Sequence, residues 1–239
     1  AGAQRLLLET GRTLKHCFGV EIQFVLLGDG ALLNDYRNVA PTEVLSAEAE
    51  TTPVRLSTFQ KQGFQSAILN SAASSAMAPH LARVGIHFLF LIHELPTLLR
   101  SRHLDAPMKQ ACALARNVIV PARSVARKLD LEAAKNLKIL PQGLYSATPL
   151  SLQTRQVIRK QMGFGGTDPV VIGAGYADLR KGFDLFLQHW RKLGGSIHCV
   201  WLGDIDPFLK DNLHVELANA CPSGTFPIPG SKDHVTAIQ

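Results

Sequence analysis

Short apolar runs separated by stretches of helical periodicity restrict this chain more than any other feature, because repeated βα units around a parallel sheet satisfy both periods at once. Buried strands are predicted at residues 22–27, 66–69, 86–92, 118–120 and 137–140, with helices at 4–17, 74–84, 108–115 and 124–131 between them. The alternation breaks at residues 141–149, where turn formers and the prolines Pro141 and Pro149 spell a linker. It then begins afresh with a helix at 152–162, a strand at 170–173, a helix after Gly182 and a strand at 197–202. A further helical stretch, an extended piece at 225–228 and a helical start at His234 follow. The expected class is α/β with two Rossmann-like lobes, residues 1–145 and 146–239, the second incomplete. The first lobe lacks its opening strand on this reading, since Gly2 sits directly ahead of a helix and such a glycine turn is normally entered from a strand.

A chain of 239 residues with 46% hydrophobic side chains buries either one large core or two modest ones, so two lobes are compatible with its size. A net charge of +6 favours phosphate-bearing partners. Its lysines and arginines are scattered, however, and no basic run is interleaved with aromatics, which argues against a nucleic-acid surface. Cys17, Cys112, Cys199 and Cys221 lie far apart without a CxxC pair, a pattern of reduced thiols rather than of a disulfide framework or zinc site. The longest apolar stretch, residues 84–92, is interrupted by His87 and is far too short to span a bilayer. No secretion signal precedes Gln4. A cytoplasmic setting is therefore expected, with peripheral membrane contact left open and the oligomeric state unspecified.

The stretch most suggestive of chemistry is PVVIGAGYADLRKGFDLF, residues 169–186. A buried strand runs into a glycine turn containing Gly175, the cations Arg180 and Lys181 follow, and a helix begins at Gly182. Backbone N–H groups and fixed positive charge are expected to converge there on a phosphate. Gly173-Ala174-Gly175 imitates the opening of a dinucleotide fingerprint, but Asp178 stands at the third glycine position and the loop is too long, so NAD is not expected. The bland alternative makes Arg180 and Lys181 a solvated helix start.

Together with the next strand and turn, HCVWLGDIDP at residues 198–207, the Lys181-Gly182-Phe183-Asp184 segment resembles the second lobe of family 4 glycosyltransferases of the GT-B kind. In the first lobe, Asn70 and Ser71 after a strand, and LIHELP at residues 91–96, resemble the family's glycan-side loop and the His-Glu pair at a strand's carboxyl end. Ala1-Gly2-Ala3-Gln4 resembles its first glycine loop, while residues 117–124 and 137–143 resemble the last strands before the domain crossing and read as fold-defining. The resemblance extends from Gly2 to about Asp206, carried by the order and spacing of short motifs. Many members place an arginine directly after the turn glycine, where this chain has Tyr176; Arg180 is either a substitute for it or a surface residue.

The resemblance implies that Lys181 and Arg180, with Gly2, Gly175 and Gly182, hold a nucleotide-sugar donor, and that Lys181 stabilises charge on the leaving diphosphate. It implies that His93 lies nearest the reacting sugar, with Glu94 and Asn70 along the cleft. The alternative is that His93 closes a strand and Glu94 caps the following helix. Transfer to a glycan or other acceptor would retain anomeric configuration without a metal or other cofactor, in surface polysaccharide synthesis. The family's paired glutamates, which hold the donor ribose and sugar, find no match up to Gln239, Glu216 falling too early. The chain alone is therefore expected to bind nucleotide sugar poorly and to turn over negligibly. A noncatalytic binding or scaffolding lobe, or a sugar-nucleotide epimerase of related fold, remain the competing readings.

Overall fold

The computed structural model describes residues 2–143, 151–193, 197–213, 215, 225–227 and 234–238. It divides into two compact units, Ala1–Ala147 and Thr148–Gln239. Most of the expected linker, the expected junction between residues 145 and 146, and Glu216 lie outside the described residues.

The first unit runs α1 (Gly2–Phe18), β1 (Phe24–Leu26), α2 (Leu33–Val39), β2 (Thr42–Val44), α3 (Thr52–Lys61) and β3 (Ser66–Asn70). A 3-10 turn at Ala72–Met77 leads into α4 (Ala78–Arg83), β4 (His87–Leu91), α5 (Pro96–Ser101), α6 (Asp105–Leu114), β5 (Asn117–Val120), α7 (Arg123–Lys128) and β6 (Leu137–Ile139). Strands β3 to β6 form a four-stranded sheet in sequence order, every pairing parallel. Strands β1 and β2 form a separate parallel pair. The segment expected as one helix at 74–84 is divided, because Pro79 in the first turn of α4 lacks the N–H that would continue the preceding turn. Helices α2, α3 and α5 and strand β2 add to the expected elements.

Burial follows the sequence pattern most closely at the centre of this sheet. Phe88 and Phe90 of β4, Ile92 just beyond it, and Val118 and Val120 of β5 are at most 4% exposed, packed with Leu81, Met108 and Ala111 from α4 and α6. A smaller core joins α1 to β1 and α2. The Phe24 and Tyr36 rings meet edge to face at 4.7 Å, and Gly11 lies so close to Phe24 that a Cβ there would stand 2.4 Å from its ring. The Tyr36 hydroxyl donates to the Gln4 carbonyl at 2.6 Å, and burial pushes its pKa up to about 12.

The second unit comprises α8 (Leu152–Gln161), β7 (Val170–Ala174), a 3-10 turn at Leu179–Lys181, α9 (Phe183–Leu193), β8 (His198–Leu202), α10 (Pro207–Asn212), β9 (Thr225–Pro227) and β10 (His234–Ile238). The sheet order is β7-β8-β10-β9, with β7 parallel to β8 and β10 antiparallel to both its neighbours. Two expectations are corrected. The residues from His234 form a strand rather than a helical start, as the β-branched Val235, Thr236 and Ile238 favour. Among the described residues strand β7 is a sheet edge rather than fully buried, with Val171 44% and Ile172 61% exposed, whereas Cys199, Val200 and Trp201 of β8 are at most 3% exposed.

Candidate functional site

At the carboxyl ends of β3 and β4, three of the expected site residues come together in one hydrogen-bond network. Asn70 Nδ2 donates to the Ala3 carbonyl of α1 at 2.8 Å, which turns its Oδ1 toward His93 Nε2, also at 2.8 Å. That ring nitrogen must therefore donate. The other, Nδ1, faces the amide nitrogen of Gln142 and accepts from it. His93 is thus a neutral imidazole with its proton on Nε2, and burial holds its pKa below the usual 6.5 despite the opposing pull of the neighbouring Glu94 carboxylate.

Glu94 turns back rather than forward. Its carboxylate accepts from the Ala72 N–H at 3.0 Å, the His93 N–H at 3.1 Å and the Ser71 hydroxyl. Burial pushes its pKa up, but these bonds together outweigh burial and leave it below 4.5, so the group is ionised at neutral pH. It does not cap α5, whose N-cap position, Leu95, makes no side-chain bond to the helix. What it holds is the loop after β3, where Ser71 has φ 78° and ψ 146°, a region that residues with a Cβ rarely enter. The backbone bends there because the serine hydroxyl is gripped by Glu94 and itself accepts from Ala73 N–H at 3.3 Å.

In the second unit the turn after β7 is set by glycines at both ends. Gly175 has φ 125° and Gly182 φ 72°, the latter separating the 3-10 turn from α9. Gly203, at the end of β8, has φ 130°, and a Cβ on it would stand 2.3 Å from the Gly175 carbonyl oxygen. Trp201 Nε1 donates to that same oxygen at 2.8 Å. The expected cradle of free backbone N–H groups is not what these contacts make. The N–H of Gly175 donates to Leu202, that of Ala177 to Asp204 and that of Gly182 to Leu179, while the Lys181 N–H is taken by the Asp178 carboxylate at 2.7 Å. A side-chain anion of the chain already caps this turn.

Positive charge at the turn therefore comes from side chains. Arg180 pairs at 3.4 Å with the half-buried Asp178, and its own exposed guanidinium leaves the pair worth little. The exposed Lys181 runs along Gly175, where a Cβ would lie 3.3 Å from its Cε, and among the described residues no ion pair or hydrogen bond engages its ammonium. Partial desolvation and the carboxylates of Asp206, Asp178 and Asp204 raise the pKa of the Tyr176 phenol, which hydrogen-bonds Asp206. The sequence reading noted Asp178 only as a departure from a glycine pattern and gave Asp204 and Asp206 no role. It also passed over Gln142, part of a stretch read as fold-defining, which engages a ring 49 residues away in sequence.

Gly2 opens α1, and a Cβ there would meet nothing within 4 Å. His93, Glu94 and Asn70 belong to the first unit; Gly175, Arg180, Lys181 and Gly182 belong to the second. Among the described residues no group of three or more His, Cys, Asp or Glu side chains is placed to hold a metal ion, and no helix is long and apolar enough to cross a membrane.

Two solved structures share this architecture: Anabaena HepE in complex with UDP, and the same protein with UDP and glucose. Each superposes with a TM-score of 0.71 at 15% identity, over 91% of this chain and 62% of the HepE chain. The chain thus has the α/β, Rossmann-like fold of the GT-B kind, its first-unit sheets parallel and its second-unit sheet mixed. It spans less than two thirds of the length of the protein it matches. No protein-family model matches it, and neither does any curated protein.

Proposed function

We propose that this chain is part of a glycosyltransferase that moves a sugar from a nucleotide-sugar donor to a hydroxyl of a glycan or other acceptor. The observation that carries the reading is the Lys181 ammonium, unpaired among the described residues beside a turn fixed by Gly175 and Gly182, in a fold shared with a protein whose crystals contain UDP. Lys181, aided by Arg180, neutralises the donor diphosphate as the bond from the anomeric carbon to its oxygen breaks. The acceptor oxygen bonds to that carbon on the face the diphosphate leaves, and the acceptor proton passes to the departing phosphate oxygen. Configuration is retained. The two cationic side chains take the charge-neutralising role, so no metal or other cofactor is needed. Because Asp178, Asp204 and Asp206 reduce the net field around the turn, binding depends on direct contact with Lys181 rather than on long-range attraction.

A second reading has its own support. Both ring nitrogens of His93 already have partners within the first unit, as befits a binding or scaffolding lobe that does no chemistry. Titrating millimolar UDP into isotope-labelled protein tests the donor assignment. Amide shifts confined to residues 173–183, weakened about tenfold or more by Lys181→Ala, are expected, a change of ~1.4 kcal/mol. The donor reading falls if UDP leaves those amides unmoved. Release of glucose from UDP-glucose by the full-length protein, lost in Lys181→Ala, separates the enzyme from the scaffold.

A further inference from the structure

Donor binding as described above gives Tyr176 no task, although it is joined directly to Gly175, along which the Lys181 stem runs. Its main chain is pinned on both sides. The Gly175 N–H donates to the Leu202 carbonyl at 2.8 Å, the Ala177 N–H to the Asp204 carbonyl at 2.8 Å, and the Asp206 N–H returns to the Ala177 carbonyl at 3.0 Å. Ala177, bridged to Ile205, is fully buried, so alternation along the extended chain turns the Tyr176 side chain outward. The ring is anchored at its tip as well: the phenol donates to the Asp206 carboxylate, which also accepts from the Phe208 N–H at 3.0 Å. A side chain tied at both ends cannot swing clear of the turn.

With its hydroxyl proton already committed, Tyr176 offers a ligand its ring face. That face is open, since the residue is 46% exposed and among the described residues no aromatic ring or cation lies against it. Beside it stands Asp204, exposed and close enough to act on the phenol electrostatically, with no hydrogen bond or ion pair to its carboxylate among the described residues. A carboxylate only accepts, so this border calls for a ligand rich in donors. A pyrimidine base presents mainly acceptors. A hexose presents several hydroxyls around a ring whose C–H groups carry partial positive charge, which suits the negative face of a phenol.

We infer that Tyr176 is a specificity-determining residue whose ring face receives the hexose of the nucleotide-sugar donor, with Asp204 accepting from a hydroxyl of that sugar while Lys181 meets the diphosphate. The inference rests on the donor assignment made above and names the part of the ligand that this turn selects. Asp206 holds the platform in place through the phenol and leaves the sugar to Asp204.

Calorimetric titration of the full-length protein with UDP and with UDP-glucose tests it. Tyr176→Ala should weaken UDP-glucose about fivefold and leave UDP within about twofold, the range expected for one aromatic stacking contact. Tyr176→Leu, which keeps apolar bulk without a π face, should behave like the alanine variant and guards against a folding defect, whereas Tyr176→Phe should bind both ligands within about twofold of the parent. Asp204→Asn should strengthen UDP, by relieving repulsion of the diphosphate, yet weaken UDP-glucose, a crossing that a purely structural residue would not produce. Saturation-transfer spectra of UDP-glucose should show the glucose C–H protons strongly labelled, with that labelling lost in Tyr176→Ala and retained in Tyr176→Phe. Equal weakening of UDP and UDP-glucose by Tyr176→Ala, or labelling that Tyr176→Ala removes from the base protons instead of the sugar, overturns the platform and leaves the donor assignment standing. Absence of binding by either ligand overturns both.

Discussion

The carboxyl end of the first unit's sheet and the glycine turn of the second are built on opposite plans. In the first, side chains consume one another: Glu94 takes two backbone N–H groups and a hydroxyl, and His93 is engaged at both nitrogens. In the second, the backbone is tied to itself and to β8, while the Lys181 ammonium stands clear of partners among the described residues. One end fixes the position and protonation of its polar groups in advance. The other fixes only the main chain and leaves a long, solvated cation to find its ligand. Strand ends in a shared type of fold thus divide between orientation and charge.

The largest effect that would break this contrast is at Glu94. Glu94→Ala strands the Ala72 and His93 N–H groups and releases Ser71 from its unfavourable φ, and should lower the stability of the first unit by about 2–4 kcal/mol, read from hydrogen exchange of β3 and β4. Gly203→Ala should cost the second unit about 1–3 kcal/mol, since its Cβ meets the Gly175 carbonyl at 2.3 Å and its φ of 130° suits glycine alone. Both tryptophans, Trp190 and Trp201, lie in that unit, so urea unfolding followed by fluorescence reports it directly.

Acid sharpens the comparison. His93 and Glu94 both have folded pKa values below their ordinary 6.5 and 4.5, so the unfolded chain takes up their protons first. Their contribution is complete above pH 6.5, erodes first through His93 and then, below 4.5, through Glu94, at no more than about 1.4 kcal/mol per pH unit for each proton. His93→Gln should flatten the upper part of that loss. Replacing the cap, Asp178→Ala, should cost only about 1 kcal/mol. Lys181→Ala should change stability by less than about 0.5 kcal/mol, and a larger loss would mean the ammonium has a structural task.

How far the sequence disclosed these features depends on how local their causes are. The alternating His87-Phe88-Leu89-Phe90-Leu91 run announces β4 because period-two burial is written into adjacent residues. Lys181-Gly182 announces a helix start because a left-handed residue is needed there and glycine supplies it. Thr42-Glu43-Val44 announces nothing, being a short strand whose partner, not its composition, makes it extended. Ser71 at positive φ is equally silent, since the force that puts it there is Glu94 from a different strand. The glycine turn misled in one respect. Its residues suggest open N–H groups, and only the neighbouring β8 and the Asp178 side chain reveal that these are already spoken for.

The lock between Gly175 and Gly203 has a practical corollary. The indole of Trp201 donates to the same carbonyl that this lock immobilises, and Phe183 and Phe186 press edge-on against its ring at 4.9 and 5.2 Å. Any disturbance of the peptide linking Gly175 to Tyr176 must alter the polarity felt by that chromophore. The molecule carries an optical gauge wired to its own glycine turn, and a shift in ultraviolet emission on adding a diphosphate would register contact without labels.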